Sequence, residues 1–148
     1  MTKPTPTIRT FMITKPVPTI HSFMTTTPHS IGADQTLAKA QEMMETHDIR
    51  HLPVLTGGRI VGMLTDRDLR LIESMEGVDP RKVTVEEAMS TAVYAVSPEA
   101  PLDQVVTTMG QKKYGSVVVL EKGRVVGIFT TVDLCRAFTE LLGGRLMN

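Results

Sequence analysis

The stretch GMLTDRDL at residues 62–69 recurs as GIFTTVDL at residues 127–134. Both copies read glycine, two apolar residues, threonine, two variable residues, aspartate and leucine, and they lie 65 residues apart. An apolar pair precedes each copy, and a helical spacing of apolar residues follows it. The pattern therefore predicts that each threonine and aspartate stand where a buried strand passes into a helix.

The repetition extends well beyond this motif. Residues 19–72 align with residues 84–137 at the same offset and without a gap. Identical pairs occur throughout the unit: Thr19/Thr84, Met24/Met89, Leu37/Leu102, Met44/Met109, Leu55/Leu120, Gly58/Gly123 and Arg59/Arg124. Because the identity is spread over the whole unit, the sequence predicts a duplicated domain.

Each unit is predicted to have the element order β-α-β-β-α. The first two strands are expected at 29–31 and 52–55 in the first unit and at 94–96 and 117–120 in the second, and the third strand of each unit runs into Thr65 or Thr130. Apolar residues spaced at i, i+3 or i+4, and i+7 predict the helices that begin near Leu37 and Leu102. The dipeptides at 57–58 and 122–123 are typical of hairpin turns.

Prolines and glycines are expected to set several boundaries. Pro101 suits the first turn of a helix. Pro53 is expected to start its strand or to lie at a sheet edge, because proline has no N–H for a strand ladder. The pair Gly143-Gly144 is expected to end the last helix.

A unit of this size leaves one sheet face in need of cover. We therefore expect an α/β (α+β) fold in which the two repeats pack sheet to sheet with pseudo-twofold symmetry. The expected organisation is a Pro/Thr-rich arm at 1–18, repeat 1 at 19–76, a linker at 77–83, repeat 2 at 84–142 and a tail at 143–148.

The amino-terminal arm contains a second, shorter duplication. Residues 2–8 recur as residues 14–20, and Phe11-Met12 recurs as Phe23-Met24, all at an offset of 12 residues. Proline at this density prevents regular helix and sheet, so the arm is expected to be extended or disordered. The alternative is that the extra copy imitates the segment leading into repeat 1 and docks on the same or a neighbouring subunit.

Composition narrows the class of protein. The 148 residues carry 16 basic and 16 acidic side chains, so the net charge is zero, which argues against a dedicated partner among nucleic acids or membrane surfaces. The single Cys135 fits a reducing compartment. Prolines interrupt the amino-terminal region where a signal peptide would need an apolar core, so we expect a cytoplasmic protein.

The sequence resembles a tandem pair of cystathionine-β-synthase-type (CBS) domains, often called a Bateman module. The resemblance covers roughly residues 19–142 and depends on Met24 with its following threonines, on IRHLPVL at 49–55, and on both copies of the opening motif. It implies a regulatory module that is not an enzyme and binds adenosyl compounds (AMP, ADP, ATP, S-adenosylmethionine or NAD) between the repeats. It also implies a homodimer that acts on a separate, unidentified partner protein.

The threonine and aspartate of each motif have two possible roles. A carboxylate can accept both hydroxyls of a ribose, and a threonine at a helix start can bond a ribose or phosphate oxygen beside the free helix amides. The same T-x-x-D spacing is also typical of a capping box, in which the two side chains only complete the helix end. In that second case the protein would be a ligand-free structural or dimerisation module.

By the same resemblance, the T-x-x-D of one repeat faces the first strand and the residues before the central strand of the other. Cleft A would comprise Thr130, Asp133, His29, Ser30, Ile31, Arg50 and His51. Cleft B would comprise Thr65, Asp68, Arg67, Tyr94, Ala95, Val96, Gly115 and Ser116. Because arginine can direct two donors at a phosphate, the Arg50-His51 pair predicts that cleft A binds phosphorylated adenosine better.

The sequence gives little support for a metal site or for catalysis. His47 and His51 have the i, i+4 spacing of helical metal ligands, but no third ligand is evident, so no metal site is predicted. Cys135 is expected to lie on a helix face as a core residue or a spare thiol, and not to act as a nucleophile. The sequence has no phosphate-binding glycine loop and no grouping of serine, histidine and acid that indicates hydrolysis, so no catalytic residue is predicted.

Overall fold

A computed structural model of the chain describes Thr5 and residues 16–146. The expectations for the arm at 1–18 fall mainly on residues outside this described part, and they stay predictions.

The described chain contains seven strands and five helices. The strands are β1 Thr25–Thr26, β2 Ile31–Gly32, β3 His51–Thr56, β4 Arg59–Thr65, β5 Ala95–Val96, β6 Ser116–Glu121 and β7 Arg124–Thr130. The helices are α1 Leu37–His47, α2 Asp66–Glu73, α3 Val85–Ala88, α4 Leu102–Lys112 and α5 Thr131–Leu146, preceded by a 3₁₀ turn at Ile20–Ser22. Each repeat thus has the predicted β-α-β-β-α order, and the short α3 was not predicted.

The strands form two sheets, one for each repeat. The first has the order β2-β3-β4 and the second the order β1-β7-β6-β5, with the central hairpins antiparallel and the outer β2 and β5 parallel to their neighbours. Met63 of the first sheet is buried in one apolar cluster with Val118 and Ile128 of the second. The predicted sheet-to-sheet packing with pseudo-twofold symmetry is confirmed.

The leading segment of each repeat packs into the core of the other repeat. Ile20 is fully buried among residues of the second repeat, including Leu102 and Phe129. Val85, its equivalent 65 residues later, is fully buried among residues of the first repeat, including Leu37. The two repeats therefore exchange their leading segments, and neither core is complete without the other half of the chain.

This exchange explains the glycine of the repeated motif. A Cβ on Gly62 would overlap the sulfur of Met89, and a Cβ on Gly127 would overlap the sulfur of Met24. Both methionines belong to the exchanged segments. Only glycine permits such a close approach of a side chain to the strand backbone.

Three predicted boundaries were wrong. Pro53 is in the central strand β3, where it is tolerated because β2 pairs only with Val54 and Leu55; at the equivalent position Val118 donates a backbone hydrogen bond to Tyr94 at 2.9 Å. Pro101 is the residue before α4 and not in its first turn. Helix α5 continues through Gly143, which does not adopt the positive φ of a glycine helix end.

Candidate functional site

The corner between β4 and α2 is a complete capping box. The backbone N–H of Thr65 donates to Oδ2 of Asp68 at 2.9 Å, and the backbone N–H of Asp68 donates to Oγ1 of Thr65 at 3.2 Å. The capping box that the T-x-x-D spacing allowed is therefore present at this corner. However, the cap uses only one carboxylate oxygen, and within the described residues no hydrogen-bond donor or ion-pair partner engages Oδ1 of Asp68.

The equivalent corner between β7 and α5 is more crowded. Oδ2 of Asp133 accepts hydrogen bonds from the N–H of Thr130 at 2.9 Å and from its hydroxyl at 3.3 Å. Oδ1 accepts the hydroxyl of Thr25 at 2.9 Å and lies 3.4 Å from the guanidinium of Arg136. Asp133 is only 3% exposed, so both of its oxygens are committed to protein partners.

A cavity of about 410 Å³ opens beside Asp68. Residues from both repeats line it: His51, Met63, Thr65, Arg67, Asp68, Ser90, Ala92, Val93, Tyr94, Lys113, Tyr114, Gly115, Ser116 and Val118. Its volume lies in the range of small-molecule sites, which is roughly 300–1,000 Å³. Cleft B thus brings together Thr65, Arg67, Asp68, Tyr94, Gly115 and Ser116, six of its eight predicted residues.

The cavity combines positive charge with aromatic surface. Arg67 and Lys113 supply two cations to the wall of the cavity that Asp68 also lines. The rings of Tyr94 and Tyr114 lie 5.3 Å apart, centre to centre, at an angle of 37°. Cations and flat rings on the wall of one cavity are the groups that a phosphate and a planar base need.

His51 was assigned to cleft A but lines cleft B. Its imidazole Nε2 lies close to Gly115 of the second repeat, so it is at the junction of the repeats. Burial lowers the pKa of His51 below its ordinary value of 6.5, against the opposing effect of Asp66. Burial of the ring therefore favours its neutral form.

The remaining predicted residues have other surroundings. The ring of His29 stacks on that of His47 at 3.6 Å, and Arg50 is exposed. Ile31 is buried in the core of the first repeat, so its side chain is not available to a ligand. Ser30 is half-buried. Ala95 and Val96 form β5, which pairs with β6, and neither residue lines the cavity.

Sequence reasoning missed seven residues of the cavity wall: Lys113, Tyr114, Ser90, Ala92, Val93, Met63 and Val118. Lys113 ends α4 with a left-handed backbone conformation, which turns the chain toward the cavity. The sequence could have indicated Lys113 and Tyr114, because they directly precede Gly115 and Ser116, which were predicted to line cleft B. Residues 90–93 follow α3, the helix that the sequence did not reveal.

Two further searches concern the described residues only. Nowhere in that part of the chain do three histidine, cysteine, aspartate or glutamate side chains gather as they would around a metal ion. None of its helices has the length and apolar character that a bilayer crossing requires.

Comparisons with known proteins agree with this architecture. The CBS domain sequence model matches residues 8–73 and 85–140. Hypoxic response protein 1 of Mycobacterium tuberculosis is 33% identical over 111 residues, which cover 74% of this chain and 78% of that protein. The CBS domain-containing protein YhcV of Bacillus subtilis is 30% identical over 121 residues, which cover 80% of this chain and 86% of that protein.

Two similar crystal structures contain ligands. The CBS domain pair of protein MJ0100, in complex with 5′-methylthioadenosine and S-adenosyl-L-methionine, is 27% identical and has a TM-score of 0.76, with coverage of 88% of this chain and 99% of that one. Hypoxic Response Protein I with two coordinated zinc ions is 31% identical and has a TM-score of 0.69, with coverage of 81% and 98%. The chain therefore belongs to the CBS domain family, as a tandem pair of CBS domains.

Proposed function

We propose that this chain is a regulatory module that binds a phosphorylated adenosyl compound in cleft B. One observation carries the proposal: Asp68, whose Oδ1 has no partner among the described residues, lines a cavity of about 410 Å³ that Arg67 and Lys113 also line. The binding of adenosyl compounds by the MJ0100 domain pair supports the choice of ligand class.

Each part of the cavity has a role in this proposal. Oδ1 of Asp68 accepts a ribose hydroxyl while Oδ2 keeps the helix cap, so the two roles of the carboxylate are divided between its oxygens. Arg67 and Lys113 neutralise the phosphate, and Arg67 offers paired donors to two phosphate oxygens. The apolar and aromatic wall, which includes Val93 and Tyr114, receives the adenine.

The same cavity offers a route to regulation. Its wall contains Asp68 from the first repeat and Lys113 from the second, so a ligand would bridge the repeats. A ligand that binds one arrangement of the repeats more tightly shifts the population toward it and changes the surface shown to other proteins. A homodimer and a partner protein regulated in trans complete the proposal, with no chemical reaction in the chain itself.

The sequence had favoured cleft A because of Arg50 and His51. No bound ligand tests that prediction. We place the ligand in cleft B because Asp133 already has both oxygens engaged, whereas Asp68 keeps one available.

The direct test is thermal unfolding of the full chain with AMP, ADP, ATP, S-adenosylmethionine, NAD and adenosine in turn. A ligand present at 100 times its dissociation constant adds about 2.7 kcal/mol to the free energy of unfolding. For a domain of this size that is an increase in Tm of several degrees. A shift with one phosphorylated ligand that adenosine does not reproduce would identify the signal.

The capping box favours a second candidate, a structural module without a ligand. In that case Thr65 and Asp68 only complete α2. This function would leave Tm unchanged with every compound, and a search for protein partners would follow.

A further inference from the structure

We propose that the docking groove on the second repeat has two alternative occupants in the same chain. Residues 18–25 occupy it in the structure, and residues 6–13 are the second occupant. The groove is the surface formed by residues 98–102 and 126–128, which receives the exchanged leading segment.

The groove holds its occupant largely through backbone groups. The N–H of Leu102 donates to the carbonyl of Pro18 at 2.9 Å, the N–H of Ile20 donates to the carbonyl of Ala100 at 2.9 Å, and the N–H of His21 donates to Pro98 at 3.2 Å. Backbone bonds of this kind do not depend on which side chains the occupant carries.

Two side chains fix the register of the occupant. Ile20 is 0% exposed in the core of the second repeat. The sulfur of Met24 lies over Gly127, where no Cβ intervenes. Any other occupant must therefore present an aliphatic residue and, four positions later, a methionine.

Residues 6–13 meet this requirement. They read PTIRTFMI, where residues 18–25 read PTIHSFMT. Proline, threonine, isoleucine, phenylalanine and methionine all recur at the same spacing. The substitutions at His21 and Ser22 fall on exposed positions, where arginine and threonine are tolerated. The first CBS match also begins at residue 8, whereas the second begins at Val85, the equivalent of Ile20.

The one consequential difference is at Thr25, whose counterpart is Ile13. The hydroxyl of Thr25 donates to Oδ1 of Asp133, and isoleucine has no donor to replace it. With residues 6–13 docked, Oδ1 of Asp133 keeps only the exposed Arg136 and is available to a ribose hydroxyl. This consequence, which rests on the proposed function, makes the occupant of the groove the factor that selects one or two adenosyl sites.

The structure also explains why residues 18–25 are the major occupant. They are followed almost directly by β2, whereas docking of residues 6–13 leaves a connection of 17 residues, 14–30, before Ile31. Longer loops cost somewhat more to close, and the hydrogen bond from Thr25 is lost. The second occupant is therefore a minor state that damage to the first occupant reveals.

The test compares Ile20→Asp, Ile8→Asp and the double variant in the full chain by thermal unfolding. Val85→Asp is the matched control, because Val85 fills the equivalent groove of the first repeat and the chain has no spare copy of its segment. We expect Ile8→Asp to leave Tm unchanged and Ile20→Asp to lower it by a few degrees. The double variant should unfold as readily as Val85→Asp.

One result of this comparison would overturn the proposal. If Ile20→Asp alone is as damaging as the double variant, residues 6–13 do not replace residues 18–25. An alanine series (Ile8→Ala, Ile20→Ala and both) makes the same comparison with smaller changes in case aspartate prevents folding. Losses that simply add would contradict the exchange, and a double loss larger than the sum would support it.

A second readout links the exchange to ligand binding. Titration calorimetry with AMP should give one site per wild-type chain and, in Ile20→Ala, a second and weaker site, because cleft A lacks the counterparts of Arg67 and Lys113. Since unfolding tests the groove without any ligand, a positive unfolding result with no AMP binding would reject the proposed function and leave the exchange intact. AMP binding together with additive losses of stability in the alanine series would support the proposed function and reject the exchange.

Discussion

Clefts A and B contain the same repeated motif, but the carboxylate of cleft A has both oxygens engaged by the protein and that of cleft B has only one engaged. Asp133 accepts hydrogen bonds from Thr130 and Thr25 and is 3% exposed. Asp68 makes its helix cap with Oδ2 and lines a cavity, and its Oδ1 has no partner among the described residues. Ser90, the equivalent of Thr25, accepts a hydrogen bond from Ala92 in its own turn and does not cover Asp68.

The surroundings differ in charge as well. Cleft B carries Arg67 and Lys113, where the equivalent positions of cleft A carry Val132 and Asp48. A repeated T-x-x-D therefore specifies a helix cap in both halves of the chain. The neighbouring residues, which the repeat does not conserve, decide whether the carboxylate also has a free oxygen and a cationic environment for a phosphate.

The sharpest test of this contrast is a pair of matched substitutions. In Asp68→Asn the amide oxygen still caps α2, but the amide N–H₂ replaces Oδ1, the acceptor proposed for the ribose. We expect affinity for AMP to fall about 100-fold, in line with about 2–3 kcal/mol for a lost charged hydrogen bond. Asp133→Asn should change affinity less than twofold. Titration calorimetry measures both, and a larger loss in Asp133→Asn would assign the ligand to cleft A.

The free energy of unfolding should show the opposite ranking. Asp133→Ala removes a buried carboxylate that accepts three hydrogen bonds, two from Thr130 and one from Thr25, so we expect a loss of about 2–3 kcal/mol. Asp68→Ala removes a helix cap and should cost about 1 kcal/mol. Urea unfolding monitored by circular dichroism compares them. Equal losses would show that the crowding around Asp133 adds nothing to stability.

The charge difference can be exchanged between the clefts. Lys113→Asp places in cleft B the residue that Asp48 supplies at the equivalent left-handed position, so the backbone should tolerate it. We expect affinity for AMP to fall about tenfold, or about 1.4 kcal/mol, through lost attraction to the phosphate. Adenosine should bind unchanged if it binds at all. Asp48→Lys is the control, and a loss of adenosine affinity in Lys113→Asp would point to a packing role for Lys113.

The smallest effect concerns pH. Burial lowers the pKa of His51 in the folded chain below the ordinary 6.5, so between those two pKa values the unfolded chain binds more protons. The free energy of unfolding should therefore fall as pH drops through 6.5, and His51→Gln should flatten this slope. Because a phosphate in cleft B would favour the protonated ring, AMP should flatten it too. If the slope is unchanged with AMP bound, the phosphate of AMP does not interact with His51.

Much of the architecture could be predicted because it is encoded locally. The spacing of apolar residues after Leu37 and Leu102 predicted helices α1 and α4, and the dipeptides at 57–58 and 122–123 predicted both hairpins. The failures were residues whose effect depends on a distant neighbour. Pro53 is tolerated in a central strand only because β2 is short, which no local pattern reveals.

The residues of the candidate site also fall into those that the sequence predicted and those that depend on a distant neighbour. The sequence supplied Thr65, Asp68 and Arg67 through the motif, and Tyr94 and Gly115 through the family resemblance. It gave no means of seeing that Thr25 would reach Asp133, since the two residues lie 108 positions apart. It also assigned His51 to cleft A, although the ring borders both repeats.

By itself, the sequence determined the duplicated β-α-β-β-α unit, the two strand-to-helix corners and the helix caps, because these depend on residues within a few positions of one another. Only the tertiary structure decided that the repeats exchange their leading segments. The exchange leaves one aspartate covered and the other beside a cavity. The physical reason is that the availability of a carboxylate oxygen depends on which donors the folded chain brings within about 3 Å of it, and those donors come from distant parts of the sequence.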